Sequence, residues 1–253
     1  MKAFYDAIYL SPHLDDVALS CGGQIFDLTR NHHTVLIVTL MAGSPTSNDP
    51  SQYAQSLHQR WQLSEAVVQS RKNEDIAACE ILGADWQHWD FLDCIYRTHP
   101  QTKEPLYTSD EEIFGRIHPA ESSLIDTIAG QLAQLPASNR LFAPLTLGHH
   151  VDHQLTRLAA EKVFLGKKNL LYYEDYPYAR QHSGEQLITQ ETGVWARGLV
   201  HLTESSIAAR INSIKCYKSQ LSTFFTSEED LENQIRSFIS QTGGEKTWTR
   251  LQD

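Results

Sequence analysis

The segment Ser11-Pro12-His13-Leu14-Asp15-Asp16 contains residue types that bind metal ions and move protons. His13 and Asp16 are three residues apart, so a tight turn can direct both side chains toward one point. Asp15 lies between them, would point elsewhere and would stay free for proton transfer. A catalytic metal site needs such a base beside its ligands. The alternative is structural, because an aspartate before a helix commonly caps the unpaired backbone N–H groups.

A second segment, Gly148-His149-His150-Val151-Asp152-His153, supplies further metal-binding residue types. His13, Asp16 and His153 would together form a two-histidine, one-carboxylate set with an open coordination position. This set is typical of catalytic zinc, and ferrous iron accepts the same donors. Asp152 would either orient an imidazole through a hydrogen bond or cap the helix that follows. The alternative for the whole segment is a solvated, histidine-rich turn.

Both motifs follow an apolar strand and precede a helix, the strands being predicted at 7–10 and 140–145. In a doubly wound sheet such loops leave the carboxyl edge, so motifs distant in sequence can converge there. Alternating strands and helices predict an α/β fold, a Rossmann-like three-layer sandwich with a mostly parallel central sheet. The 253 residues suit a single domain, with an α/β core at about 5–180 and a C-terminal helical extension at about 203–253.

Three further segments bear on the shape of a site. A long helix is predicted from about Tyr53 to Leu82, and a polar loop from Arg97 to Ser109. The segment from Tyr172 to Tyr178 offers aromatic rings and carboxylates that suit a sugar. Its tyrosines would alternatively pack against the core at the end of a strand.

Composition narrows the classes of partner. The net charge of −10 argues against a nucleic-acid partner, which would require a basic face. No apolar run approaches the roughly 18–20 residues of a membrane span, and Asp6 interrupts the only apolar stretch that a secretory signal would use. The four cysteines form no Cys-x-x-Cys pair, which favours free thiols and a cytoplasmic location.

The two motifs together resemble those of the PIG-L/LmbE-like family of zinc-dependent N-acetylglucosaminyl deacetylases. The family's His-Pro-Asp-Asp-Glu motif appears as His13-Leu14-Asp15-Asp16-Val17, and its His-x-Asp-His motif as His150-Val151-Asp152-His153. Further similarity lies in Gly22-Gly23, Arg71-x-x-Glu74 and Phe91-Leu92-Asp93. Leu14 departs from the family's proline and Val17 from its glutamate, which puts any role of that acidic side chain in doubt, but neither change removes a metal donor.

This resemblance implies a hydrolase that removes the acetyl group from an N-acetylglucosamine-type sugar or conjugate. It implies zinc on His13, Asp16 and His153, with Asp15 as the general base that activates the attacking water. It also implies that His150, if protonated, stabilises the oxyanion. Arg71 and Asp93 look like the residues that contact the sugar in some members of the family.

Other functions compete with this one. A metal-dependent amidase or esterase could use the same site on a non-sugar substrate, and a non-catalytic metal-binding α/β protein would need only the ligands. A nucleotide-binding module of Rossmann type is disfavoured, because the chain has no G-x-G-x-x-G and no G-x-x-x-x-G-K sequence. Hydrolysis of an acetylated small molecule remains the leading hypothesis.

Overall fold

The computed structural model of the protein describes residues 2–45, 50–60, 67–167 and 169–251. Within these residues, seven strands form one sheet in the order β3-β2-β1-β4-β5-β7-β6. The strands are β1 (Phe4–Ser11), β2 (Val35–Thr39), β3 (Asp85–His88), β4 (Ala137–Pro144), β5 (Leu170–Tyr173), β6 (Val194–Val200) and β7 (Glu245–Leu251).

The strand order reverses at the middle of the sheet, between β1 and β4. The strands from β3 to β5 run parallel, whereas β7 is antiparallel to both β5 and β6. The chain moves outward from β1 to β2 and β3, then returns to the other side of β1 at β4. Open α/β sheets bind ligands where the strand order reverses in this way. The predicted α/β fold with a mostly parallel central sheet is confirmed.

Helices cover both faces of the sheet. Within the described residues they are α1 (Asp16–Arg30), α2 (Gln52–Arg60), α3 (Val67–Leu82), α4 (Asp110–Ile113), α5 (Ser122–Leu132), α6 (Val151–Phe164), α7 (Gly184–Ile188), α8 (Glu204–Ile214), α9 (Lys218–Phe224) and α10 (Glu228–Thr242). The helix predicted from about Tyr53 to Leu82 thus appears as α2 and α3, and residues 61–66 between them lie outside the described residues.

Alternation along β1 explains why this strand fixes the centre of the fold. Ile8 and Leu10 pack into a cluster that includes residues of α5 and α6. Ala7 and Tyr9 point to the other face and pack with residues of α1 and α3. Because successive side chains of a strand point to opposite faces, β1 is buried on both sides. The turn that follows β1 is therefore held at a well-defined position.

Two strands were not predicted, β6 and β7. The side chains of β6, which lies at the sheet edge, are all exposed or half-buried, and Lys246 and Arg250 interrupt the apolar pattern of β7. Neither segment therefore shows the continuous apolar run of a strand buried on both faces. The C-terminal part predicted as helical contains α8, α9 and α10 and then ends in β7.

A buried ion pair ties this C-terminal part to α1. Arg210 of α8 is fully buried, donates to the carbonyl of Leu19, and its Nη1 lies 3.2 Å from Glu245 Oε1. Glu245 in turn accepts a hydrogen bond from the backbone N–H of Gly23 at 3.0 Å. A Cβ at Gly22 would lie 3.1 Å from the Arg210 side chain, so a larger residue there would require Arg210 to shift slightly. The pair holds the helix whose first turn follows His13.

Most of the cysteines lie within the core. All four cysteines are free, and Cys21, Cys79 and Cys94 are buried. Burial raises the pKa of the Cys79 thiol, which keeps it protonated. Among the residues that the structure describes, no helix is long and apolar enough to cross a bilayer.

Candidate metal centre and active site

The two histidine-containing turns meet at the carboxyl edge of the sheet. His13 follows β1, whereas His150 and His153 follow β4, the neighbouring strand. The ring centroid of His13 lies 4.8 Å from that of His150 and 5.5 Å from that of His153. One ring nitrogen from each of the three histidines lies within 4.8 Å of the others. The predicted convergence of the two motifs is therefore present.

Asp16 lies at the distance from both His13 and His153 that two ligands of one metal ion would have. Asp16 Oδ2 lies 3.2 Å from His13 Nδ1 and 3.3 Å from His153 Nε2. Ligands of a tetrahedral zinc ion, with bonds of about 2.0–2.1 Å, lie about 3.3 Å apart. His153 Nε2 is also buried, and apart from this contact with Asp16 it has no hydrogen-bond partner among the described residues. A buried nitrogen of this kind is normally satisfied, so the three side chains fit a divalent metal.

Asp175 holds His153 in the orientation that leaves Nε2 available. Its Oδ1 accepts a hydrogen bond from His153 Nδ1 at 2.6 Å. Its Oδ2 accepts the backbone N–H groups of Thr146 at 2.7 Å and Leu147 at 3.2 Å. Burial alone would lower the pKa of His153, but Asp16 and Asp175 raise it to about 9. The carboxylates of Asp16 and Asp175 on the two sides of this imidazole favour a bound cation, whether a proton or a metal ion.

We expect Asp175→Asn to weaken metal binding by about 10–100-fold, because a carboxylate behind a ligating histidine raises its basicity. The amide oxygen can still accept the backbone N–H groups of Thr146 and Leu147, so the fold should survive. Competition with a chromophoric chelator measures the dissociation constant directly. Asp126→Asn, at a largely exposed position, is the matched control. An unchanged constant in the Asp175 variant would show that this hydrogen bond does not support the metal.

Asp152 contacts His13, the other histidine of the candidate ligand set. Its Oδ2 lies 2.9 Å from His13 Nε2 and accepts the backbone N–H of Cys94 at 3.0 Å. Asp152 does not cap α6, because that position is taken by His150. The predicted hydrogen bond to an imidazole is thus present, and its partner is His13. With Nε2 of His13 engaged, Nδ1 is the nitrogen that faces Asp16.

Arg97 keeps Asp152 charged in this buried position. Its Nη1 lies 2.5 Å from Asp152 Oδ1, and its Nε contacts Glu121. Burial alone would raise the pKa of Asp152, but the guanidinium of Arg97 outweighs it and holds that pKa well below its usual range. Tyr107 also donates to Glu121, at 2.5 Å. The segment from Arg97 to Glu121 is therefore held at both ends, because its first and last residues contact each other and Arg97 contacts Asp152.

Asp15 is placed next to the candidate metal ligands, and its side chain does not cap the helix. It occupies the cap position of α1, but its side chain makes no capping hydrogen bond there. Its φ is 134°, a backbone conformation that residues other than glycine rarely adopt. Backbone strain of this kind is often found at functional sites. Burial raises its pKa to about 8, although the positive charge of Arg71 opposes this and Asp16 adds to it. This is the environment of a general base.

His150 is a neutral hydrogen-bond donor in this arrangement. Burial lowers its pKa well below the usual range, and the positive charge of His13 lowers it further. Its Nδ1 accepts the backbone N–H of Asp152 at 3.2 Å, so the single proton of the neutral ring resides on Nε2. The resemblance implied an oxyanion donor if this ring is protonated, and the lowered pKa favours the neutral ring.

Comparison with known proteins assigns the family. The family described as GlcNAc-PI de-N-acetylase, PIG-L, matches residues 8–164. The chain belongs to the PIG-L family. It is 27% identical over 248 residues to the 2'-N-acetylparomamine deacetylase of Streptomyces fradiae, covering 96% of this chain and 80% of that protein.

Two solved structures extend the PIG-L similarity to the whole fold. The zinc-inhibited form of teicoplanin deacetylase is 27% identical, with a TM-score of 0.84 over 98% of this chain and 99% of that one. A deacetylase in complex with teicoplanin is 25% identical, with a TM-score of 0.83 over the same shares of the two chains. The predicted family and enzyme class, an N-deacetylase, are confirmed, and the group of His13, His150 and His153 supports a divalent metal.

The positions that match the PIG-L family's sugar contacts border the same site. Arg71 of α3 donates to the carbonyl of Leu14 at 3.1 Å, and its Nη2 lies 3.8 Å from Asp15 Oδ2. Asp93 Oδ2 lies 3.9 Å from His13 Nε2. Their roles toward a sugar stay predictions. At the family's glutamate position, Val17 is buried and packs in the core beneath α1.

The structure brings all the predicted site residues into one cluster. These are His13, Asp15, Asp16, Arg71, Asp93, His150, Asp152 and His153. Asp175 and Arg97 belong to the same cluster and were not predicted as site residues. A signal existed for Asp175, which follows β5 at the same edge of the sheet. Nothing in the local sequence distinguishes Arg97 from any other loop arginine.

Proposed function

We propose that this protein hydrolyses the acetamide of an acetylated amino sugar or sugar conjugate, using a bound zinc ion. The observation that carries the proposal is the convergence of His13 Nδ1, Asp16 Oδ2 and His153 Nε2 beside Asp15, a buried carboxylate that makes no capping hydrogen bond. These three atoms would hold the metal, and Asp15 would remain outside its ligand set. A closed structural zinc site would be rich in cysteine and would not need such a base.

The chemistry of the metal and that of Asp15 are complementary. When bound, zinc supplies a Lewis acid that polarises the acetamide carbonyl and acidifies the attacking water. Asp15 accepts the proton of that water at a carboxylate oxygen and then delivers it to the nitrogen of the leaving amine. Its position beside Asp16, with a side chain that makes no capping hydrogen bond, suits both transfers.

His150 stabilises the charge that develops on the carbonyl oxygen. Its Nε2–H is the only proton of the neutral ring, because Nδ1 is engaged by the backbone of Asp152. Donation from Nε2 to the oxyanion is of the kind whose loss typically costs about 10²–10³ in rate. A neutral donor gives up no proton in this step, so Asp15 carries the proton transfer alone.

The substrate class follows from the relatives and from the polar groups at the site. Similar proteins are named as deacetylases of acetylparomamine and teicoplanin. Arg71 and Asp93 border the metal ligands here and would bind the hydroxyl groups of a sugar. Asp93 is suited to this role because carboxylate oxygens accept hydrogen bonds from hydroxyls.

The test is acetate release from a panel of substrates, with and without metal. The panel contains N-acetylglucosamine, 2'-N-acetylparomamine, an acyclic acetamide and a simple acetyl ester. We expect cleavage of the acetamido sugars, loss of this activity after chelation of the metal, and recovery of the activity when zinc is added. Adding ferrous iron under anaerobic conditions instead of zinc shows which metal restores more activity. Cleavage of the ester or acyclic amide alone would indicate the non-sugar hydrolase, and retained metal without cleavage would indicate a non-catalytic binder.

We also propose a reducing, cytoplasmic location. The support is that all four cysteines are free, whereas secreted proteins of this kind commonly carry disulfides. Thiol labelling of the protein denatured directly from cells should modify all four cysteines. Protection of a pair of them would contradict the proposal.

A further inference from the structure

Two aromatic side chains form a surface beside the metal-binding histidines, which we call the aromatic wall. It consists of Phe114, at the end of α4, and Tyr178. The ring centroid of Phe114 lies 5.3 Å from that of His150 and 5.7 Å from that of Tyr178. The ring of Tyr178 lies 5.8 Å from that of His153. The wall therefore runs alongside the oxyanion donor and a predicted metal ligand.

The wall is built by specific contacts on both sides. A Cβ at position 148 would lie 2.4 Å from the Tyr178 ring, so Gly148 provides the space that this ring occupies. Ile113, the residue before Phe114, is buried, and the carbonyl of Gly115 accepts a hydrogen bond from Gln154 Nε2 at 2.9 Å. Phe114 is thus held in place, although its side chain is one of the large apolar ones that remain exposed, at 39%.

A carboxylate borders His13 in the same cluster. Asp93 Oδ2 lies 3.9 Å from His13 Nε2. Burial raises the pKa of Tyr96, and the negative charge of Asp93 raises it further. The hydroxyl of Tyr96 lies 2.6 Å from His58 Nε2. The site thus combines exposed aromatic surface with hydrogen-bonding groups. A ligand that fits both is cyclic, with an apolar C–H face and hydroxyls at its edge, which describes a pyranose ring.

We propose that the aromatic wall is the subsite for the apolar face of the sugar ring that carries the scissile acetamide. This inference rests on the proposed deacetylase function and adds the residues that select a sugar over an acyclic amide. Covering Phe114 with the ring removes apolar surface from water, which stabilises the bound sugar. An acyclic acetamide reaches the metal ligands without covering the wall and gains nothing from it.

The kinetic test compares Phe114→Ala with Phe114→Trp on two substrates. We expect Phe114→Ala to raise KM for N-acetylglucosamine about ten-fold, with kcat within about two-fold of wild type, because one aromatic contact is lost. The kcat/KM for an acyclic acetamide should not change. Phe114→Trp, which restores an aromatic face, should recover most of the affinity. Leu158→Ala, at another exposed apolar residue, is the matched control.

The outcomes separate this inference from the function on which it rests. An equal loss on both substrates, carried by kcat, would mean that Phe114 only positions His150 and would overturn the proposal. Binding of glucosamine, the deacetylated product, is measured by NMR titration and does not depend on turnover. Wild type should bind glucosamine about ten-fold more tightly than Phe114→Ala. Equal binding, or none by wild type, refutes the subsite, whereas failure to cleave any acetamide refutes the deacetylase function.

Discussion

Replacing Asp15 with asparagine is expected to lower kcat by about 10²–10⁴-fold while leaving the metal content unchanged. The amide has the shape of the carboxylate but cannot accept the proton of the attacking water. Asparagine is the suitable replacement because it tolerates the positive φ of 134° at this position better than most residues. The metal donors at His13 and Asp16 are not altered, so elemental analysis should find the wild-type amount of metal.

Asp90→Asn provides the matched control for this variant. It makes the same chemical change at a side chain that is 93% exposed, and we expect wild-type kinetics. Turnover by the Asp15 variant at the wild-type rate would show that another group is the base. Loss of metal from that variant would show instead that Asp15 is a metal ligand. This result would contradict the proposal that Asp15 is the base and lies outside the ligand set.

Replacing His153 with alanine is expected to empty the metal site, from about one ion per chain to close to none. The substitution removes one of three proposed donors and leaves His13 and Asp16, too few to retain the ion through dialysis. Activity should fall with the metal content and should not recover on adding zinc at micromolar concentration. Elemental analysis of the dialysed protein measures the first effect, and acetate release measures the second.

The fold of the His153 variant needs a separate check, because Asp175 loses its imidazole partner. Asp175 keeps the backbone N–H groups of Thr146 and Leu147, so the circular dichroism spectrum should stay native. His182→Ala, at an exposed position, is the control and should retain full metal. Metal affinity should decrease from wild type to Asp175→Asn to His153→Ala. A His153 variant that retains stoichiometric metal would point to a ligand set without this residue.

The sequence predicted the part of the site that depends on local spacing. His13 and Asp16 lie in one turn, as do His150 and His153, so their types and separations were visible without a structure. The buried strand before the first turn was equally visible, because a strand covered on both faces is a nearly continuous apolar run. The strands β6 and β7 lacked that signal, since they are partly exposed and carry charged residues.

The partners of the site residues depended on contacts between distant segments. Asp152 was expected to orient an imidazole, but the ring that it contacts belongs to the other turn. The positive charge that keeps Asp152 ionised comes from Arg97, in a segment predicted only as a loop. The neutral state of His150 likewise reflects burial and the charge of His13, neither of which is encoded by neighbouring residues.

Residue types and local spacing were thus enough to indicate the α/β fold, the family and the metal-binding side chains. Only folding decided that Asp175 supports His153, that burial lowers the pKa of His150, and that Phe114 lies beside His150 and Tyr178. The physical reason is that the candidate ligands within one turn are close in sequence, so their spacing is visible there. Hydrogen-bond partners, burial and electrostatic fields depend instead on residues that are distant in sequence and that the folded sheet brings close together. The carboxyl edge of β1, β4 and β5 brings these groups together.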